Sequence, residues 1–433
     1  MPWFWREAQE LSRAEVDELA LRLLDEARAR IKKELRKVLL LPPDLTRAHS
    51  GVGKITETLY KSLAATNCDV HVIPTLGQHV PHSAEQNRWM FGSIPNERIR
   101  LHDWISGVTR LGTIPAKRVA ESTGGAANWD IPLDLNTSLL SESWDLIINI
   151  GHVVPHEVLG FANHNKNYFI GLGGKETICS SHMAAAAYGI ENNLGKLITP
   201  LRSCFNWAEE EFLRRLPDVY FQVVMKRNPD GRLVTCGVYV GDDLETYLMA
   251  ARASTRENIT IVEKPISKVV AVMQADEFHS TWVANKAIYR TRMAIADGGE
   301  LLIIAPGLER FGEQAPVDRL IRKYGYRGTA QTLAAYKENS DLKELAVAAA
   351  HLIHGSSEGR FTISYAPRHL SKDEIEQVNY RYVPLEEALK RYPPGQMKEG
   401  WNVMPDGEEI FFISTPSLGL WATPERLQAR ENN

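Results

Sequence analysis

A histidine-rich stretch is the first place where this sequence could do chemistry. It runs Gly151-His-Val-Val-Pro-His156-Glu-Val-Leu-Gly-Phe-Ala-Asn-His-Asn-Lys166, continues through Gly171-Leu-Gly-Gly174 and closes at Ser181-His182-Met183. Of 13 histidines in the chain, four fall here: His152, His156, His164 and His182. Imidazole changes charge near neutral pH and binds transition metals, so such clustering points to acid–base or metal work. His152 and His156 are four residues apart, the zinc-ligand spacing of a helix, but Pro155 lies between them and no HExxH pattern is present. A zinc-dependent hydrolase and a purely structural cluster are the alternative readings of this stretch.

Two shorter segments carry complementary groups. Pro42-Pro-Asp-Leu-Thr-Arg47 places a carboxylate and a guanidinium three residues apart. Arg47 suits a bidentate grip on a carboxylate or phosphate, although Asp44 also reads as a helix cap and Arg47 as a solvated side chain. Thr75-Leu-Gly-Gln-His79-Val-Pro-His82 offers His79 on an exposed loop, with Gly77 allowing close backbone approach to a ligand and His82 the weaker candidate. Two glycine patterns carry no nucleotide signal. In Ser50-Gly-Val-Gly-Lys54, Ala48 stands where a phosphate loop needs its first glycine and Ile55 where it needs Ser or Thr. Gly171, Gly173 and Gly174 do not make GxGxxG and read as a turn or a close backbone approach.

These groups need elements to position them. Residues 12–36 read as a charged amphipathic helix, with Val16, Leu19, Leu21, Leu23, Leu24, Ala27 and Ile31 at roughly helical spacing. Residues 37–41, 70–74 and 145–150 read as strands, each followed by one of the polar segments, and residues 51–63 as a helix. The strand–loop–helix rhythm predicts an α/β fold, in which ligands lie beyond the carboxyl ends of strands. Asn228-Pro-Asp-Gly231 between two apolar runs predicts a hairpin over 219–240, and strands are expected at 269–273, 301–305, 361–365 and 410–414. The expected domains are 1–268, holding cofactor-binding and catalytic groups, then 269–408, with 409–433 a C-terminal tail that could return to the first.

Together the segments resemble the nickel-pincer lactate racemase family, in patches from about residue 37 to 310. Asp44-x-x-Arg47 is similar to that family's D-x-T-R loop, Leu76-Gly-Gln-His79-Val-Pro81 to its L-G-T-H-R-P loop, and His156 with Gly160-Phe161 to its H-x-x-A-G-F stretch. Lys166 follows His156 by ten residues and His182 follows Lys166 by sixteen, in the family's order. The resemblance implies an isomerase, a racemase or epimerase of a 2-hydroxy acid, built from two α/β domains with the active site in the cleft between them. It implies a nickel-pincer nucleotide (pyridinium-3,5-bisthiocarboxylic acid mononucleotide nickel) tethered through Lys166, with His182 on the nickel and Asp44 near the cofactor. His79 and His156 would be the acid–base pair, and Arg47 and Lys286 the substrate contacts. It further implies partner proteins that build the cofactor. A non-catalytic metabolite-binding protein of the same fold is a further alternative. Asn163, His164 and Asn165 stand where the family carries Ser/Thr-Gly-Gly, and Val283 where it carries glutamine. The three bulkier residues raise the expectation of a substrate larger or more polar than lactate. The sequence leaves the roles of His152, His164 and Lys175 open.

The bulk composition excludes other classes. With 50 basic and 54 acidic residues the net charge is −4, which gives no general attraction to nucleic acid or anionic membranes. The four cysteines, Cys68, Cys179, Cys204 and Cys236, are scattered, as in a reducing compartment. The first residues lack the apolar core of a signal peptide, and no run reaches the roughly 20 apolar residues that span a bilayer. A cytoplasmic enzyme with a small-molecule substrate is expected.

Overall fold

The computed structural model of the chain describes residues 1–228, 230–416 and 419–428. The fold is α/β, and the chain divides into two compact units, residues 1–181 with 195–258, and residues 182–194 with everything from 259 onward. The division comes at 258/259 rather than 268, and the short segment 182–194 belongs to the second unit, which no composition shift announces.

The first unit is built on a six-stranded mixed sheet. Its order is Phe4–Leu11, Leu233–Gly241, Asp218–Arg227, Leu146–His152, Lys37–Leu41, Asp69–Val72. The last four strands run parallel, and the first two pair antiparallel. Val38 to Leu41 are all fully buried, as expected of a central parallel strand covered on both faces. The helix Arg13–Ile31 covers one face through Val16, Leu19, Ala20, Leu23, Leu24 and Ala27. It starts at a capping box between Ser12 and Glu15 and stops where Lys32 turns left-handed, five residues short of the sequence expectation. The hairpin over 219–240 forms as expected. The strand Phe4–Leu11 was not foreseen. It is an edge strand buried only at its two ends, so its sequence lacks the alternation that marks a half-buried strand.

The second unit carries another six-stranded sheet, in the order Arg381–Tyr382, Thr362–Pro367, Ile295–Ala305, Ile266–Val272, Glu409–Ile413, Gly400–Val403. All neighbours are parallel except the last pair. The expected strand near 410 is therefore a member of this sheet, so residues 409–413 belong to the second unit rather than to a separate tail. Ile410 and Phe412 pack into the core with Val270, Leu302 and Ile304, and that apolar burial fixes the strand's place. Among the described residues no helix is long and apolar enough to cross a membrane.

Candidate functional site

In the first unit, the polar segments after Leu41, Val72 and His152 meet beyond the carboxyl ends of their strands. Asp44 is buried and caps the 3₁₀ turn Leu45–Ser50, accepting from the Thr46 N–H at 3.1 Å and the Thr46 hydroxyl at 2.6 Å. Its other carboxylate oxygen takes a hydrogen bond from Nδ1 of His79. Burial works to raise the Asp44 carboxyl, but the His79 ring, the two hydrogen-bond donors and Arg47 outweigh it and hold it well below the usual carboxylate range. Asp44 thus serves as a cap and as the partner of a histidine at once. The His79 side chain is 49% exposed, so the ring edge away from Asp44 faces outward.

Gly77 packs against the backbone of another loop. It sits at φ +57, its N–H donates to the Gly171 carbonyl at 2.8 Å, and a Cβ there would crowd the Ile170 carbonyl. Gly171 in turn has no room for a Cβ against Thr75. The two glycines let the His79 loop lie on the backbone just after Lys166.

Lys166 is partly buried at the start of the π-helical turn Asn167–Gly171, a rare backbone form that recurs at functional sites. Burial and the neighbouring Arg47 push its amine down to about 8, against the pull of Glu157 and Asp44, while Arg202 adds to the depression. Moving the amine from 10.5 to about 8 raises its neutral, nucleophilic fraction near pH 7 by roughly two to three orders of magnitude. Arg47 interacts with Asp44 and Glu157. His156 is buried. Its Nδ1 accepts from the Val158 N–H at 3.2 Å, and its Nε2 lies 3.8 Å from the Glu157 carboxylate. Asp44, Arg47, His79, His156 and Lys166 therefore belong to one neighbourhood, joined by Glu157, which the sequence reading did not assign.

The remaining candidates sit on other elements. His182 is in the middle of the helix Lys175–Tyr188, at the point where the chain passes to the second unit. Lys286 opens the second unit's helical segment Lys286–Thr291 and interacts with Glu277. His82 is structural, its Nε2 accepting from the Leu45 N–H at 3.1 Å and its Nδ1 facing Asn87. His152 is buried edge-on to His49, with ring centroids 5.8 Å apart. Lys175 begins its helix, its backbone N–H bonded to the Trp104 carbonyl. Among the described residues no three His, Cys, Asp or Glu side chains converge as a metal site. A zinc centre built on His152 and His156 has no third ligand there.

Asn163, His164 and Asn165 turn into the unit's interior. Asn163 and His164 are left-handed, at φ 70 and 59, an uncommon backbone for residues with a Cβ. His164 stacks on Tyr220 at 4.2 Å. Asn163 accepts from Asn167 at 2.9 Å, and Asn165 donates to Asn206 and to Glu209. All three are buried, so their bulk is absorbed by the core and carries no argument about substrate size.

Beneath them lies a buried polar network that no sequence motif signals. The Tyr220 hydroxyl donates to Glu209, and that of Tyr168 to Asp218 at 2.7 Å. Burial pushes the Glu209 carboxyl up to about 7, helped by Asp218, and burial raises Asp218 to about 6. Both carboxyls are raised above their ordinary 4.5 and 3.8, so the folded state holds their protons more tightly than the unfolded chain. Their contribution is fully present below about pH 4 and is lost as pH rises through 6 to 7. Glu209→Gln should therefore flatten the fall in thermal midpoint between pH 4.5 and 7 relative to the parent protein, as followed by calorimetry. Parallel curves for the two proteins would contradict this.

Comparison with known proteins agrees with this picture. Residues 9–193 match the family model of the lactate racemase N-terminal domain. Over that stretch the chain is similar to the lactate racemase family. A structural-genomics crystal structure from Thermotoga maritima is similar over 96% of this chain and 99% of that one, with 24% identity and a TM-score of 0.79. The lactate racemase apoprotein from Thermoanaerobacterium thermosaccharolyticum is similar over 96% of this chain and 94% of its own, with 15% identity and a TM-score of 0.70. At these identities the two structures establish the fold. No curated protein sequence matches the chain.

Proposed function

We propose that this protein is a racemase or epimerase of a 2-hydroxy acid, working by reversible hydride transfer with a nickel-pincer nucleotide held covalently through Lys166. The observation that carries the reading is the junction of a carboxylate-oriented histidine, Asp44–His79, with Arg47 and an amine poised near neutrality, Lys166, inside a lactate racemase N-terminal domain. When bound, the nucleotide supplies a centre that takes hydride from C2 of the substrate and returns it to either face. Lys166 would hold it, with His182 as the protein's ligand to nickel.

The chain's own residues do the rest. Arg47 grips the substrate carboxylate and keeps the planar 2-oxo acid in place between the two transfers. The Asp44 carboxylate fixes the proton of neutral His79 on Nδ1, which leaves Nε2 free to accept the substrate hydroxyl proton. His156 is set the other way. With Nδ1 accepting from the Val158 N–H, its neutral form carries the proton on Nε2 and can donate a hydrogen bond from there to the substrate oxygen. Inversion requires one ring to take the substrate hydroxyl proton and the other, as an imidazolium, to give one back. Lys286 would be a further substrate contact. The enzyme depends on proteins that build the nucleotide, and its substrate is a small 2-hydroxy carboxylate.

The test is isotopic. With substrate deuterated at C2 and the cofactor-loaded enzyme in ordinary water, the inverted product should keep most of its label. Inversion should run slower than with the protium form if C2–H cleavage limits the rate. Rapid loss of label to solvent would mean proton abstraction and would overturn the proposal. Binding of 2-hydroxy acids without turnover by fully loaded protein would favour the metabolite-binding alternative.

A further inference from the structure

Arg202 has no exposed surface, yet it carries a charge that must be satisfied inside the unit. It lies in the helix Pro200–Ala208, whose first turn is capped by the Thr199 hydroxyl, and its side chain points at the backbone that leads into Lys166. One terminal nitrogen donates to the Phe161 carbonyl at 2.7 Å, and the other to the Asn163 carbonyl at 3.3 Å and to Oδ1 of Asn165. Its guanidinium carbon lies over the Tyr247 ring, 4.4 Å from the centroid. The grip falls on the segment where Asn163 and His164 are left-handed, a backbone that persists only when its surroundings over-determine it.

We infer that Arg202 is a positioning residue for Lys166, clamping from behind the left-handed loop that delivers the amine to the site. The inference deepens the reading of Lys166 as the attachment point and rests on it. The fork shape matters. A guanidinium can satisfy a carbonyl on each arm while stacking on a ring, and an ammonium on a flexible stem cannot. The carbonyls of Phe161 and Asn163 are thereby drawn towards one point, which fixes the turn ahead of the π-helical segment. Glu209, near Arg202 and held by Asn165 and Tyr220, is a carboxyl that Arg202 draws toward its ionised form against burial. Asn165 links the two, accepting from Arg202 and donating to Glu209 at 2.9 Å.

Charge acts in the same direction as shape. The groups acting on Lys166 are Arg47 and Asp44 from the loop after Leu41, Glu157 from the loop after His152, and Arg202 from the helix behind. The two arginines favour the neutral amine and the two carboxylates oppose them. Arg202 is fixed and buried, so its share of this balance persists before any cofactor or substrate arrives.

The experiment uses the full chain produced without the cofactor-building proteins. Pulse acylation across a pH series, read by peptide mass spectrometry, gives the pH midpoint of Lys166. Hydrogen exchange of the peptide spanning 159–168 reads the loop. In Arg202→Met the midpoint should move up by roughly half to one pH unit, since one nearby cation is gone. Loop exchange should quicken by about tenfold or more while the strand Lys37–Leu41 stays protected. Arg202→Lys keeps the charge and loses the fork, so the midpoint should stay and the loop should still loosen. A folded Arg202→Met with the parent's midpoint and loop exchange would overturn the inference. If Arg202→Met does not fold, an Arg202→Lys protein with unchanged loop exchange would overturn it instead. Because the readout is the bare amine, it is independent of whether a nucleotide is later found on Lys166. Absence of an adduct from the loaded parent protein sinks only the attachment reading.

Discussion

Co-expressed with the proteins that build the nickel-pincer nucleotide, the parent chain gains mass on the peptide containing Lys166, and Lys166→Ala gains none. Lys175→Ala still gains it. Intact and peptide mass spectrometry read the result directly, and nickel content should follow the adduct. The size of the expected effect comes from chemistry that has no substitute. Attachment needs a neutral amine, and Lys166 has its amine drawn down to about 8 by burial and Arg47. Racemisation by Lys166→Ala should fall to background, since a freely dissociating cofactor loses the effective concentration that tethering provides. An adduct on Lys175, or full activity without an adduct, would remove Lys166 from its role.

The second large effect concerns the Asp44–His79 pair. His79→Ala should lower turnover by roughly 10²–10⁴-fold in both directions, the usual range for loss of a positioned acid or base. Both directions suffer because each uses one histidine to take a proton and the other to give one. Asp44→Asn is the subtler variant. It retains the cap geometry through its amide oxygen but no longer fixes the His79 tautomer, and a loss of about 10–100-fold is expected. Substrate binding should change less than turnover if Arg47 stays in place. Near-normal kcat in Asp44→Asn would show that the histidine needs no orienting carboxylate.

Much of this site was legible because its residues follow strands. The apolar runs at 37–41, 70–74 and 145–150 announce buried strands, and the loops that follow must hold whatever the fold presents to a ligand. Asp44, His79 and Lys166 were found on that ground and on their resemblance to family motifs. Gly77 was read as a residue that allows close approach, and the structure shows the Gly171 backbone approaching it. The misreading of Asn163, His164 and Asn165 has a related cause. Polar residues near a site suggest a pocket lining, and only the left-handed turn reveals that they face the core. Arg202 and Glu209 left no trace in the sequence, because a buried arginine and an exposed one are spelled alike. Their meaning comes from long-range contacts, 37 to 44 residues away along the chain.

The excursion of residues 182–194 limits how this architecture could be inherited. Glu191, in that segment, meets Arg292 at 3.0 Å and Arg360 at 3.1 Å, with Arg426 at 3.8 Å. Arg292 is itself almost wholly buried and also ties down the carbonyls of His354 and Ser356. A gene fragment ending near residue 193 would carry Glu191 without its three cations, and one starting at 259 would carry the cations without their acid. Neither piece is a self-contained cassette, so recombination at the apparent boundary would break a charge cluster rather than a linker. The two halves are expected to be traded only as a pair, and the helix bearing His182 to travel with both.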